Sequence, residues 1–207
     1  MKREEKNQLT RRRILDSALA EFSAKGYGAS SINTICAAQD ISKGIVYHYF
    51  DTKDGLFLAC VEECFQRLTG CIGGSMQSLS AGESSIEEYF AVRTRFFHTH
   101  PVYQRIFCEA VISPPAHLRT EIQARTRSFD KLNIQILEQL LTPLALRPGI
   151  SKEEVIDTFR QFQDFINARY QMAGTREEAF AVREEQCRRA LDILLYGVIE
   201  RKEAEHA

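Results

Sequence analysis

The sequence predicts an all-α protein: an N-terminal three-helix helix-turn-helix domain followed by a larger helical domain, about nine helices in all. Three observations carry this expectation. Every long segment repeats its apolar residues with a period near 3.6, and none alternates as a strand would. Capping boxes, in which a Ser or Thr and a Glu three residues on cap a helix start reciprocally, stand at Ser151-Lys152-Glu153-Glu154 and Thr175-Arg176-Glu177-Glu178. Helix-ending punctuation falls between the periodic segments, at Gly26-Tyr27-Gly28, Pro114-Pro115 and Pro148-Gly149.

The first helix is expected over about 10–25, with Thr10 as cap and Ile14, Leu15, Ala18, Leu19 and Phe22 buried. Ser30 or Ser31 opens the second, whose apolar stripe is Ile32, Ile35 and Cys36. Asp40-Ile41-Ser42 breaks it, because Asp tolerates a left-handed turn position and Ser caps the next helix. The third helix, about 43–49, is roughly 11 Å long at 1.5 Å per residue, close to the width of the DNA major groove. Val46 and Phe50 lie four apart and anchor it, which leaves Lys43, Gly44, Tyr47 and His48 on the other face. A helix-turn-helix with a donor-rich outer face predicts binding to double-stranded DNA. Ser42, Lys43 and Gly44 sit at the helix start, where free backbone N–H groups favour a phosphate, and Gly44 lets the backbone come close. His48 can reach a base or a phosphate.

Thr52 caps the fourth helix, which presents Leu56, Cys60, Val61, Cys64, Phe65 and Leu68. Gly70, Gly73, Gly74 and a Ser-rich stretch to Ser85 predict that this helix frays or ends near residue 70. The fifth helix comes next at about 85–98, with Ile86, Tyr89, Phe90, Val92, Phe96 and Phe97. Pro101 suits the first turn of the sixth, to about Ile112, and the seventh runs over about 116–142, before Pro143. The two capping boxes then open an antiparallel hairpin of helices eight and nine.

The segment from Thr10 to Leu68 resembles the DNA-binding domain of the tetracycline-repressor-like (TetR) family, in RRRILDSALAEFSAKGYGASSINTI and then ISKGIVYHYFDTKDGLF. The resemblance implies a DNA-binding domain over 1–55 and an effector-binding and dimerisation domain over 56–207. It also implies phosphate contacts by Ser31, Tyr47, Tyr49 and Lys53. In such proteins a small-molecule pocket lies between the middle helices, so Tyr89, Phe90, Phe97, Tyr103, Phe107 and Phe129 are candidate lining residues. A small, largely apolar effector is the expected ligand. Helices eight and nine would pair with their copies, through Phe159, Phe162, Ile166, Leu191, Leu194, Leu195 and Val198, into a homodimer on a palindromic operator. Three positions depart from the family pattern. Asp40 stands where a turn Gly is usual and keeps the geometry. Ile45 replaces a common Thr or Asn, shifting readout toward a thymine methyl. Asp51 adds a negative charge near the expected phosphates.

Composition agrees with an ordinary globular chain: 207 residues, 44% apolar, 27% charged and net charge −1. The first thirteen residues nevertheless hold Lys2, Arg3, Lys6, Arg11, Arg12 and Arg13 against Glu4 and Glu5, a local +4 suited to phosphate or minor-groove contact. No apolar run approaches the ~18 residues of a membrane span, and the charged N-terminus lacks the apolar segment of a secretory signal. The six cysteines form no CxxC pair and read as reduced, mostly buried thiols in a cytoplasmic protein. Neither cofactor nor metal is expected, and no GxSxG, Gly-rich phosphate loop or HExxH points to an enzyme. The alternatives are a DNA-bound interaction protein without an effector and a regulator that senses redox state through a thiol.

Overall fold

The computed structural model describes residues 3–77, 86–173 and 177–198; within its helices the side chains of 77, 86–87, 169–173, 177–179 and 195–198 lie outside the description. Among the described residues there are nine α-helices: α1 (Arg3–Ala29), α2 (Ile32–Ala38), α3 (Lys43–Tyr49), α4 (Lys53–Gln77), α5 (Ile86–Thr99), α6 (Val102–Val111), α7 (Arg119–Leu141), α8 (Lys152–Ala173) and α9 (Glu177–Val198). A 3-10 turn, Ala116–Leu118, leads into α7. No described helix is long and apolar enough to cross a membrane.

Two expectations about helix ends are corrected. Thr10 caps nothing: α1 already starts at Arg3, and the Thr10 hydroxyl donates to the Lys6 carbonyl at 2.9 Å, one turn back inside the helix. α4 does not stop near Gly70 but runs to Gln77. Leu68, Ile72 and Met76 continue its buried stripe at four-residue spacing, and that burial outweighs the poor helix propensity of three glycines.

The other local signals act as their chemistry requires. Ser31 and Ser42 cap α2 and α3, and Thr52 Oγ1 accepts the Gly55 N–H at 2.9 Å. At α8 the capping box closes both ways: Ser151 N–H donates to Glu154 at 2.8 Å, and Glu154 N–H to Ser151 Oγ at 3.1 Å. The second box includes Thr175 and Arg176, which lie outside the described residues.

The chain divides into two compact units, Met1–Gly70 with Arg95–Phe129, and Cys71–Thr94 with Asp130–Ala207. Packing of α1 on α6 carries the first unit well past residue 55. That packing is fastened at Gly26, whose φ of 77° interrupts α1. Arg105 of α6 donates to the carbonyls of Ala24 and Lys25 at 3.0 and 3.1 Å. Glu109 accepts the Tyr27 N–H at 2.9 Å, and a Cβ on Gly26 would stand 2.2 Å from Glu109 Oε1. A second tie in this unit is a half-hidden ring of charge: Glu63 receives Arg12, Arg67 and, at 2.6 Å, the Tyr103 hydroxyl.

In the second unit α8 packs on α9, burying Phe159, Ile166, Phe180, Cys187 and Leu191. Polar residues are buried there too. Arg93 Nη2 lies 3.1 Å from Glu184, Arg183 bonds both Glu184 and Asn167, and Tyr89 donates to Asn133 at 2.7 Å. Burial opposes the Arg93 charge, but Glu184, Tyr89 and Cys187 together more than offset it, so this arginine stays ionised.

Candidate nucleic-acid interface

The presentation of α3 is set by the residues that hold it. Ile35 and Cys36 of α2, Ile41 in the turn, and Val46 and Phe50 are all buried, which fixes the inner side of the motif. Asp40 takes the left-handed conformation at φ 51°, and Ile41 N–H returns to the Cys36 carbonyl at 3.0 Å. Arg13 of α1 donates to the Gln39 carbonyl at 2.8 Å and closes the end of α2. With the inner side held, Ser42, Lys43, Gly44, Ile45, Tyr47 and His48 are all exposed.

Several details set the chemistry of that face. Ile45 is 43% exposed, a large apolar side chain left partly open to the outer face. Nothing lies within 4 Å of a Cβ built on Gly44, so no neighbour within the chain demands a glycine there; the open space is on the outer face. Lys43 Nζ stands 5.9 Å from the Tyr47 ring centroid, so the cation and the phenol form one donor pair.

The remaining expected contacts are more engaged. Ser31 Oγ accepts the Thr34 N–H at 3.1 Å and meets the Thr34 hydroxyl at 2.8 Å, so it already serves as a helix cap. Tyr49 is half-buried and its hydroxyl donates to Asn7 Oδ1 at 2.9 Å, with the His48 ring packed edge-on at 5.2 Å. Lys53 is half-buried with its ammonium 4.5 Å from the Tyr27 ring centroid. The Tyr27 hydroxyl donates to Asp54, and His117 Nε2 lies 3.3 Å from the same carboxylate. Burial, and then the Asp54 bond, pushes the Tyr27 phenol up to about 12. The basic arm is not a free tail: Arg12 is paired with Asp16 and Glu63, Arg13 with Gln39, and Arg11 lies 5.2 Å over the Phe50 ring.

The candidate effector residues are all buried and fall in both units. In the first, Phe97, Phe107 and Phe129 join Phe65 in one aromatic cluster with centroids 5.0–6.0 Å apart. Tyr103 stacks on Phe96 at 5.9 Å while its hydroxyl is held by Glu63. Tyr89 and Phe90, in the second, meet edge-to-face at 5.1 Å.

Of the candidate dimer residues, Phe159, Ile166 and Leu191 are spent on the chain's own core and do not face outward. Phe162 is exposed, Leu194 is half-buried, and Leu195 and Val198 lie outside the described side chains. Among the described side chains of α8 and α9, the large apolar ones that are exposed are Phe162, Phe165, Val182 and Ile193. Asn7, Glu63 and Arg105 were not singled out by sequence, since exposed-looking polar residues on an amphipathic helix carry no signal of their distant partners.

A family profile described as "Bacterial regulatory proteins, tetR family" matches residues 14–60, which covers α2, α3, most of α1 and the start of α4. The chain is 26% identical over 123 residues to the biofilm operon icaADBC HTH-type negative transcriptional regulator IcaR of Staphylococcus aureus, covering 58% of this chain and 64% of that protein. It therefore spans somewhat less than two thirds of the relative's length. With the Staphylococcus epidermidis IcaR it shares 34% identity over 53 residues, 26% of this chain and 29% of that protein. Among solved structures, the TetR-family regulator from Cytophaga hutchinsonii superposes with a TM-score of 0.65 at 17% identity, covering 95% of this chain and 98% of that one. FadR from Bacillus subtilis, solved in complex with stearoyl-CoA, gives 0.65 at 14% identity, covering 89% and 97%. Residues 14–60 thus carry the helix-turn-helix domain of the TetR family of bacterial regulatory proteins, and the whole all-helical chain shares its fold with solved TetR-family regulators.

Proposed function

We propose that this protein is a cytoplasmic transcriptional repressor, not an enzyme, which binds a palindromic operator as a homodimer and is released by a small, largely apolar molecule. The observation that carries the reading is the outer face of α3, where Lys43, Gly44, Ile45, Tyr47 and His48 are exposed while Val46 and Phe50 hold the helix from beneath. Lys43, Tyr47 and Lys53 serve phosphates with Ser31 and Ser42, Tyr49 acts through the hydrogen bond it gives Asn7, Gly44 and Ile45 meet base edges, and His48 reaches either. Residues 1–55 form the reading head, and residues 56–207 bind the effector and dimerise. Repression is supported by the negative regulator IcaR, and an apolar effector by FadR with its stearoyl-CoA. The rings of Phe97, Phe107 and Phe129 are the first candidates to meet such a ligand. A thiol sensor is the weaker reading, because burial pushes the thiols of Cys60, Cys64 and Cys187 up, away from the reactive thiolate, and Cys71 alone of the six cysteines is exposed.

Selection of bound duplexes from a random-sequence pool tests the core of this reading. The recovered sites are expected to be two-fold symmetric. Lys43→Ala should weaken binding to all of them alike and flatten the salt dependence by about one unit of slope per protomer. An unenriched pool, or a Lys43→Ala protein with unchanged affinity and slope, would overturn it.

A further inference from the structure

We infer that α1 carries a second DNA-contacting line, Arg3–Asn7–Arg11, which grips the phosphate backbone beside the reading helix; this rests on the reading of α3 given above. The three residues recur every four positions on one helix and so share a face. Two independent contacts tie that face to the end of α3. Asn7 Oδ1 accepts the Tyr49 hydroxyl at 2.9 Å, and the Arg11 guanidinium lies 5.2 Å over the ring of Phe50, the C-cap of α3. Arg3 stands one turn further along the same line and is exposed, as is Lys6 at the line's edge. Glu4 flanks the line, and Glu5 falls on the opposite side of the helix.

The hydrogen-bond inventory says what Asn7 can offer. Its carbonyl is committed to Tyr49, so its amide retains two N–H donors, the chemistry a phosphate oxygen accepts. The same bond withdraws the Tyr49 proton from a phosphate. The role expected of Tyr49 thereby passes to Asn7, with Tyr49 as the residue that positions it. Because the segment is helical, its partner is the backbone and not the minor groove: a helix about 10–12 Å across does not enter a groove about 6 Å wide. The occupant is thus the phosphate backbone flanking each half-site, reached by a helix face continuous with α3.

The test uses the full chain, a 30-base-pair duplex selected from a random pool by the wild-type protein, and a scrambled duplex of equal length, with affinity measured across salt concentration. Arg3→Ala should weaken both duplexes by the same factor and flatten the slope by about one unit per protomer. Asn7→Asp keeps the acceptor for Tyr49 but sets a carboxylate against phosphate, so it should bind worse than Asn7→Ala or Tyr49→Phe, with melting temperature unchanged. If Asn7→Asp binds no worse than Tyr49→Phe, Asn7 only positions α3 and the phosphate assignment is overturned. If Arg3→Ala and Asn7→Asp both match wild type while Lys43→Ala is impaired, the α1 line touches no DNA and the α3 reading stands. If Lys43→Ala matches wild type as well, the α3 reading falls and takes this one with it.

Discussion

Ile45 and Gly26 are the two single residues whose replacement distinguishes function from architecture. Ile45 is exposed on α3 and makes no described polar bond through its side chain, so the fold should tolerate Thr there. Ile45→Thr should instead change base preference at one position per half-site, by about 1–3 kcal/mol if the contact is direct. Affinities for a set of operator variants at fixed salt measure this; an unchanged preference would take Ile45 out of base readout. Gly26 is the opposite case, set in the fastening of α1 to α6. Its φ of 77° with ψ of 168° is a conformation that essentially only glycine adopts, so any L side chain there is strained by about 1–3 kcal/mol. A Cβ would also displace the Glu109 carboxylate that holds the Tyr27 amide. Gly26→Ala should lower the urea midpoint, and a protein as stable as wild type would mean that the α1–α6 fastening is slack.

At the scale of elements, the proposed dimer puts the weight on the outward faces of α8 and α9. Phe162 and Phe165 are 44% and 63% exposed, and Ile193 is 69% exposed, so a partner helix would find aromatic and branched surface there. Phe162→Glu with Phe165→Glu should give monomers in sedimentation and lose operator affinity, whereas Phe159→Glu should unfold the second unit. A dimer that survives the double change would place the interface elsewhere. The sequence was informative here only in part. Helical period revealed which residues of α8 and α9 were apolar, but not whether Phe159, Ile166 and Leu191 would spend that surface within the chain. Caps were legible, at Ser31, Ser42, Thr52 and Ser151, because a cap is a bond between near neighbours. Thr10 misled because its hydroxyl is satisfied equally well one turn back. Bonds that join distant segments, Tyr49 to Asn7 or Arg105 to Ala24, leave no periodic trace, so the outer face of α3 could be read from sequence while its supports could not.

For the molecule as a whole, two glutamates give stability opposite dependences on pH. Burial pushes the Glu63 carboxyl up, but Arg12, Tyr103 and Arg67 more than offset it and leave it below its ordinary range. Its contribution is therefore present above the unfolded value near pH 4.3 and is lost as pH falls through the lower folded one. Burial raises Glu109, so its contribution is present at low pH and is lost as pH rises through the raised value. Glu63→Gln should flatten the acid limb of stability against pH, and Glu109→Gln the limb just above the ordinary carboxylate range. Denaturant midpoints measured across pH 2–7 give both, and parallel curves for wild type and Glu63→Gln would show that the charge ring adds nothing. The exposed rings of α8 and α9 have a further consequence under the proposed dimer. A repressor whose two heads are joined only by that face responds to its own abundance. Below the dimer dissociation constant, operator occupancy rises with the square of protomer concentration, so growth that dilutes the protomer twofold without new synthesis loosens repression about fourfold before any effector arrives.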